Sequence, residues 1–581
     1  MIYNRNSFSL SDMSSAKASV SLDGDNDTNI SKDFEPATCS GIVSNASDGE
    51  MEVCENTPNE LKQTIKPFHV LMMSTATGIG TGLLVGNGRS ISIAGVGGTL
   101  VGYLIIGIML TCCMQTVGEL VVAFPSMPGG FNSYGKRFID PSVGFTTSWL
   151  FFLNWTVVLP LEICVASMTI KFWNERIHPW LFVSLCFAMV CCVNFFGARC
   201  YADADCILNC LKVLMIAGFI ILGVLVNTGV AGTSGYIGLK YFHNPGFFRN
   251  EGNLFKSIAT TLVTACFSTG GTEFVALSCA EQNKDDMPRS IRRASIQVLL
   301  RIAVIFCVSL FIIGLLIPYN SPLLMGSGSE LTHASPYVVA LTTNGVKVVP
   351  HIVNAIILLS IISVANNAMY SSSRTLHSLA DQGFAPKYFC KLDISGKPFR
   401  CLCVSAVTGM FSFIAEYKDQ ETIFVWLLSI SGLSTVFTWS MICISHLRFR
   451  SAMKEQDQSL HQLGYKSPCG VYGSYISLVI CGILLIVQFW VSLFPIGSNG
   501  KPDVASFFQN YMAVPVGLLL YLGHKCYTRN TQLFISADKI DINTNRDIYW
   551  VDDVIGKKTI FKELDEDTME QSSALSEPRN K

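Results

Sequence analysis

Two apolar stretches of the chain are interrupted by glycine where a plain membrane helix would not be. The first runs from Pro67 to about Ala94 and carries Thr77-Gly78-Ile79-Gly80-Thr81-Gly82. The second runs from about Ser257 to Ala280 and carries Ser268-Thr269-Gly270-Gly271-Thr272-Glu273. Gly78, Gly80, Gly82, Gly86 and Gly88 crowd one short segment, although a glycine inside a helix costs roughly 1 kcal/mol against alanine. Close packing through small residues explains one such motif. A second break, followed at once by an intramembrane acid, points to a binding site. Backbone that leaves the helix at membrane depth persists only against protein or a watery cavity. It offers amide N–H groups at the start of one half-helix and carbonyls at the end of another, which suit an anion and a cation respectively. A carboxylate and an ammonium a few ångströms apart match those poles, so the implied ligand is a zwitterionic amino acid. Paired interruptions of this kind mark the binding site of a secondary transporter.

Ionisable groups inside apolar spans are costly and are functional candidates by default. Glu119, Glu162, Lys212 and Glu273 are four such groups. Each either fixes helix register as half of a buried salt bridge or has a functional role, which is coupling for Glu119, Glu162 and Lys212 and substrate binding for Glu273. Lys212 is the expected coupling cation, because a desolvated lysine gives up its proton readily. Ser360, Ser363 and Asn366 supply polar groups for it on another span.

The elements that must position these residues follow from hydropathy. Of the 581 residues, 50% are hydrophobic and 14% charged, and the mean hydropathy is +0.41. Apolar stretches of about 20 residues, the length that crosses a bilayer, recur near 68–94, 97–123, 142–170, 180–197, 205–227, 255–280, 296–318, 348–371, 399–415, 421–446, 471–495 and 505–526. The fold class expected is an all-α polytopic membrane protein of about twelve helices. Lys and Arg concentrate in alternate loops, among them Lys136, Arg137, Arg289, Arg292, Arg293, Lys387, Lys391, Lys397, Arg448 and Arg450. The positive-inside rule then places both termini in the cytosol.

Residues 1–66 are polar and acidic and read as a disordered cytosolic tail, 67–526 as one twelve-helix membrane domain, and 527–581 as a second cytosolic tail. Cysteines such as Cys112, Cys113, Cys307 and Cys443 lie within apolar spans and read as small apolar fillers. No CxxC pair with matching partners suggests a metal. A net charge of −1 argues against nucleic acid. No GxxxxGK[ST] loop provides for ATP, and no catalytic constellation suggests an enzyme.

In order along the chain, Gly78–Gly86, Gly118-Glu119-Leu120 with its Pro-Gly-Gly turn, Leu159-Pro160-Leu161-Glu162, Tyr241-Phe242-His243-Asn244-Pro245-Gly246, the second break, Val364-Ala365-Asn366-Asn367, Ser445-His446-Leu447-Arg448-Phe449-Arg450 and Ala537–Ile542 form one pattern. It resembles the fungal amino-acid permeases of the amino acid–polyamine–organocation superfamily, over roughly Leu61 to Asp547. The resemblance implies a five-plus-five inverted repeat of the leucine-transporter type followed by two extra helices. It also implies proton-coupled amino-acid import across the plasma membrane, with the proton gradient as driving force and no cofactor. In that family the first break takes the substrate carboxylate and the second helps take the amine and side chain. A lysine matched by Lys212 stands where related transporters bind sodium. The wording of Thr77–Gly88 is most similar to the subgroup that carries branched-chain and aromatic amino acids. Lysines in the N-terminal tail of family members accept ubiquitin from a ligase, which makes Lys17 and Lys32 regulatory candidates. A permease-like sensor that binds amino acids without transporting them is the alternative.

Overall fold

The computed structural model describes residues 68–547, apart from 70–71, 73–77, 126, 128, 174–177, 250–252, 278–286, 326–334, 394–395, 417–419 and 497–499. All of these described residues fall within the unit Glu50–Lys581. Every regular element among them is helical. The main helices are α1 (Gly82–Ala123), α2 (Pro141–Ile170), α3 (Pro179–Phe196), α4 (Ala198–Asn227), α5 (Leu254–Thr269), α6 (Phe274–Leu277), α7 (Ser290–Leu316), α8 (Val349–Asp381), α9 (Phe399–Gly409), α10 (Gln420–Glu455), α11 (Gly470–Leu493), α12 (Val504–Tyr511) and α13 (Ala513–Thr528). Seven of them are long and apolar enough to cross a membrane, or eight if the α12–α13 pair, bent by 67°, counts as one span. Three shorter apolar helices accompany them, at Trp180–Phe196, Leu254–Thr269 and Phe399–Phe413.

The first of the long helices is not one rod. Gly95 has φ 73° and ψ 173° inside it, a conformation that costs glycine little and other residues much. Asn87 and Tyr103 are sixteen residues apart, which along a straight helix is about 24 Å. Yet the Tyr103 hydroxyl lies 3.0 Å from Asn87 Oδ1. The chain therefore doubles back at Gly95, where the hydropathy pattern divides the first and second spans. Gly97 N and Arg249 N donate to Phe247 O and Ala94 O across this turn.

Local signals start the helices that frame the centre. Asp140 caps α2 by accepting from Ser142 N at 2.9 Å, with Pro141 at the first helical position. Asn253 caps α5 through Lys256 N. The most extensive helix contacts are α2 with α8, α2 with α10, and α1 with α5. The first two set α8 and α10 around α2, and the third sets the two interrupted segments side by side.

Beyond α13 the chain packs back onto the bundle. Ile535 N donates to Ile139 O, and Asp547 N donates to Ala123 O at the end of α1. Arg137 donates to the carbonyls of Asp541 and Thr544 at 2.6 and 2.7 Å. Gln456 at the end of α10 donates to Ile540 O at 2.8 Å. Ile540 and Ile542 are buried beneath this segment.

Candidate substrate site and ion cluster

The two glycine breaks lie against each other. Gly78 to Gly80 are outside any helix, and regular turns resume at Thr81 and Gly82. On the other side α5 ends at Thr269, Gly270 is extended at ψ 160°, and Gly271 takes φ 84°. Helix returns only at Phe274. A Cβ on Gly82 would stand 2.6 Å from Ser268 Cα, and one on Gly78 would stand 3.1 Å from Ser268 O and 3.2 Å from Gly270 O. Only hydrogen side chains allow this approach, and that is the structural reason for the glycines.

Between the breaks is a cavity of about 380 Å³, its open mouth included. Gly78, Gly80, Thr81 and Gly82 line it from the first break, and Ser268 and Gly270 from the second. Trp155, Val158, Phe267 and Val364 give it an apolar wall, while Asn154, Glu162, Ser431 and Thr435 add polar groups. The start of the helix at Gly82 carries N–H groups without an intrahelical partner, and the end of α5 carries such carbonyls. The cavity thus has a positive and a negative pole of backbone origin. Ile79, Thr269 and Thr272 are buried around it. Thr77, Lys17 and Lys32 lie outside the described residues.

Polar side chains tie the breaks to their neighbours. Thr81 Oγ1 donates to Glu162 Oε1 at 2.6 Å; the other oxygen of Glu162 is buried with no hydrogen-bond partner among the described residues. Tyr103 donates to Ser268 Oγ at 2.7 Å, which links the second arm of α1 to the second break. Asn154 Oδ1 accepts from Ser431 of α10 at 2.5 Å, so the Asn154-Trp155-Thr156 triplet, an N-x-S/T glycosylation pattern, is inside the bundle.

Two charged residues at this site escaped the sequence reading. Arg301 of α7 is 1% exposed and donates through Nη2 to Thr272 Oγ1 at 2.5 Å. Its Nη1 approaches within 3.4 Å of a Cβ built on Gly78, so a single guanidinium touches both breaks. Glu273 is buried beside it, and Trp439 and Arg301 are groups that act on its carboxylate. The second missed residue is Asp205. Lys212 Nζ donates to Ser363 Oγ of α8 at 2.9 Å, and Ser363 Oγ donates to Asp205 Oδ1 at 2.8 Å. Asp205, Asn209 and Lys212 recur at i, i+4 and i+7, which is one face of α4. That polar stripe is the signal that would have revealed Asp205.

Glu119 belongs to a different cluster. Its carboxylate meets His446 Nε2 at 3.1 Å, Arg450 Nε at 2.6 Å and Ser467 N at 2.8 Å. His446 Nδ1 in turn pairs with Ser474 Oγ at 2.8 Å. The structure therefore places Glu119 in an ion-paired network joining α1, α10 and the entry to α11, and not on the cavity wall with Glu162.

A helical bundle with a cavity between two interrupted helices is the scaffold of a polytopic membrane permease. The family model for amino acid permeases matches residues 69–537, and the chain belongs to that family. It is 47% identical over 494 residues to the general amino acid permease AGP1 of Saccharomyces uvarum, covering 84% of this chain and 77% of the relative. A high-affinity glutamine permease of Saccharomyces cerevisiae is 47% identical, with 85% and 75% covered. A valine amino-acid permease of the same yeast is 44% identical, with 84% and 81% covered. The relatives are transport proteins, and this chain is a multi-pass membrane protein of their kind.

Proposed function

We propose that the protein is a proton-coupled symporter that imports amino acids across the plasma membrane, with bulky neutral ones preferred. The observation that carries this reading is the cavity that lies between the two breaks. The substrate carboxylate sits at the N–H groups that open the helix at Gly82. The ammonium faces the carbonyls at the end of α5, Ser268 O and Gly270 O among them. The side chain extends towards Trp155, Val158, Phe267 and Val364, an apolar wall that suits a branched or aromatic group. The relatives' named substrates include glutamine and valine, so polar side chains of similar size are within range.

Lys212 supplies the coupling. When charged it joins α4 to α8 through Ser363 by a charge-assisted bond; when discharged it loosens that tie. The bundle is read as twelve spans with an inverted repeat and with both termini in the cytosol. Uptake of each common radiolabelled amino acid, with and without a proton uncoupler, tests the whole reading. Accumulation that collapses with the uncoupler is expected, as is loss of accumulation with retained exchange in Lys212→Met. Binding without uptake would make the protein a sensor instead.

A further inference from the structure

The Lys212 ammonium is the first member of a series that leads away from the cavity. Its Nζ donates to Ser363 Oγ at 2.9 Å, and the same hydroxyl donates to Asp205 Oδ1 at 2.8 Å. Both bonds have the polarity that a proton moving from lysine to aspartate requires. The second oxygen of Asp205 accepts from Asn209 Nδ2 at 2.8 Å, and Asn367 of α8 also faces the carboxylate. On the lysine side the facing acids are Asp205 and Glu162. Lys212, Ser363, Asp205, Asn209 and Asn367 are each 0% exposed, so no bulk water enters the series.

The direction is set by the helix. Asp205 lies two turns of α4 nearer its start than Lys212, about 10 Å along the axis. The side chain of Asp203, two residues further in that direction, is 56% exposed. The series therefore begins at a sealed ammonium and ends at a sealed carboxylate nearer the end of α4 that the reading above puts in the cytosol. A hydroxyl that both accepts and donates is the group that can pass a proton while it keeps its own composition.

We propose that Lys212, Ser363 and Asp205 form the exit path of the symported proton, with Asp205 as its acceptor. The inference rests on the proton-coupled reading. In the step an N–H bond of the lysine breaks as its proton binds Ser363 Oγ, and the original hydroxyl proton leaves Oγ for Asp205 Oδ1. Lysine becomes a neutral amine, aspartate becomes a neutral acid, and the serine is regenerated. The net charge of the cluster does not change, so the transfer stays affordable in a sealed interior. It also removes the charge that strengthens the bond between α4 and α8, so proton release and the parting of those helices become one event.

The test uses the full chain in proteoliposomes, with surface-exposed protein quantified and with radiolabelled valine and glutamine as probes. Wild type is driven by an imposed pH gradient, and counterflow exchange is measured in parallel. Asp205→Asn keeps an acceptor for Ser363 but cannot hold the proton, and Ser363→Ala keeps both charges but removes the bridge. Each is expected to lose gradient-driven accumulation about a hundredfold, the scale of a lost proton-transfer group, and to retain counterflow. Ser363→Thr restores accumulation. Wild-type accumulation by Asp205→Asn overturns the proposal. So does equal loss of accumulation and counterflow in both variants, which is the mark of a purely structural cluster. A wild type that ignores the pH gradient overturns the symport reading itself, and the path falls with it.

Discussion

Thr81 Oγ1 and Glu162 Oε1 stand 2.6 Å apart, joining the first chain break to the middle of α2. This bond settles where the unwound segment sits, because Thr81 is the residue at which helix resumes. Removing the hydroxyl leaves a buried carboxylate without its donor, a loss of about 1–3 kcal/mol. Thr81→Val is expected to lower uptake efficiency about ten- to a hundredfold, and Thr81→Ser to stay close to wild type. Equal uptake by the Val and Ser variants would remove this bond from the mechanism.

The glycines differ in what they allow. A Cβ at Gly82 would meet Ser268 Cα at 2.6 Å, backbone that has nowhere to move, whereas one at Gly86 meets Thr264 Cγ2 at an ordinary 3.4 Å. Gly82→Ala should abolish uptake. Gly86→Ala should be tolerated and should gain helix stability of up to about 1 kcal/mol. Uptake and melting temperature of the purified variants decide the matter, and the reverse order of tolerance would mean the breaks do not pack as described.

Glu119 predicts a different failure. Removing one partner from a buried ion cluster costs about 3–5 kcal/mol. Glu119→Gln is expected to reduce surface protein and melting temperature while uptake per surviving molecule stays near wild type. Coupling lost at full surface abundance would return Glu119 to the proton path.

At the end of α10 the C-terminal segment adds a pH-dependent contact. Burial pushes the Asp541 carboxyl up, but the amides of Thr544 and Asn543 and the Arg137 guanidinium outweigh it and hold the group below the usual carboxylate range. A depressed value means that the stabilisation is fully present above an unfolded pKa of about 4 and is lost as pH falls through the folded value. Docking of the segment is therefore intact at neutral pH. Asp541→Asn should speed tryptic cleavage at Lys539 and Arg546 in detergent at pH 7, and in acid an acid-active protease such as pepsin should cut this segment of wild type faster as pH falls through the folded value. Cleavage rates that ignore both changes would show that this carboxylate does not hold the segment.

The sequence revealed the breaks because glycine is so expensive in a helix that five of them in one short run (Gly78, Gly80, Gly82, Gly86 and Gly88) require a reason. Lys212 was legible because it interrupts an apolar run. Arg301 and Asp205 were not, since a single charge near the end of a span is also what a snorkelling or interfacial residue looks like. Only the bundle shows that Arg301 points at Thr272 and Asp205 at Ser363. For Glu119 the partners were in view within Ser445–Arg450, yet nothing in one dimension says that this motif reaches back to α1. The α12–α13 bend at Met512 left no mark in hydropathy, because both halves are apolar.

The backbone bonds from Ile535 and Asp547 to Ile139 and Ala123 also bear on how the protein is made. Ala123 and Ile139 leave the ribosome before every helix from α2 to α13, and the residues that cover them follow after all of those helices. Until this segment is made that end of α1 remains uncapped, and Ile540 and Ile542 have no place to bury until the bundle exists. A nascent chain that stalls before this segment presents bare carbonyls and an uncovered apolar floor. The docked segment is thus a mark that the bundle before it has been assembled.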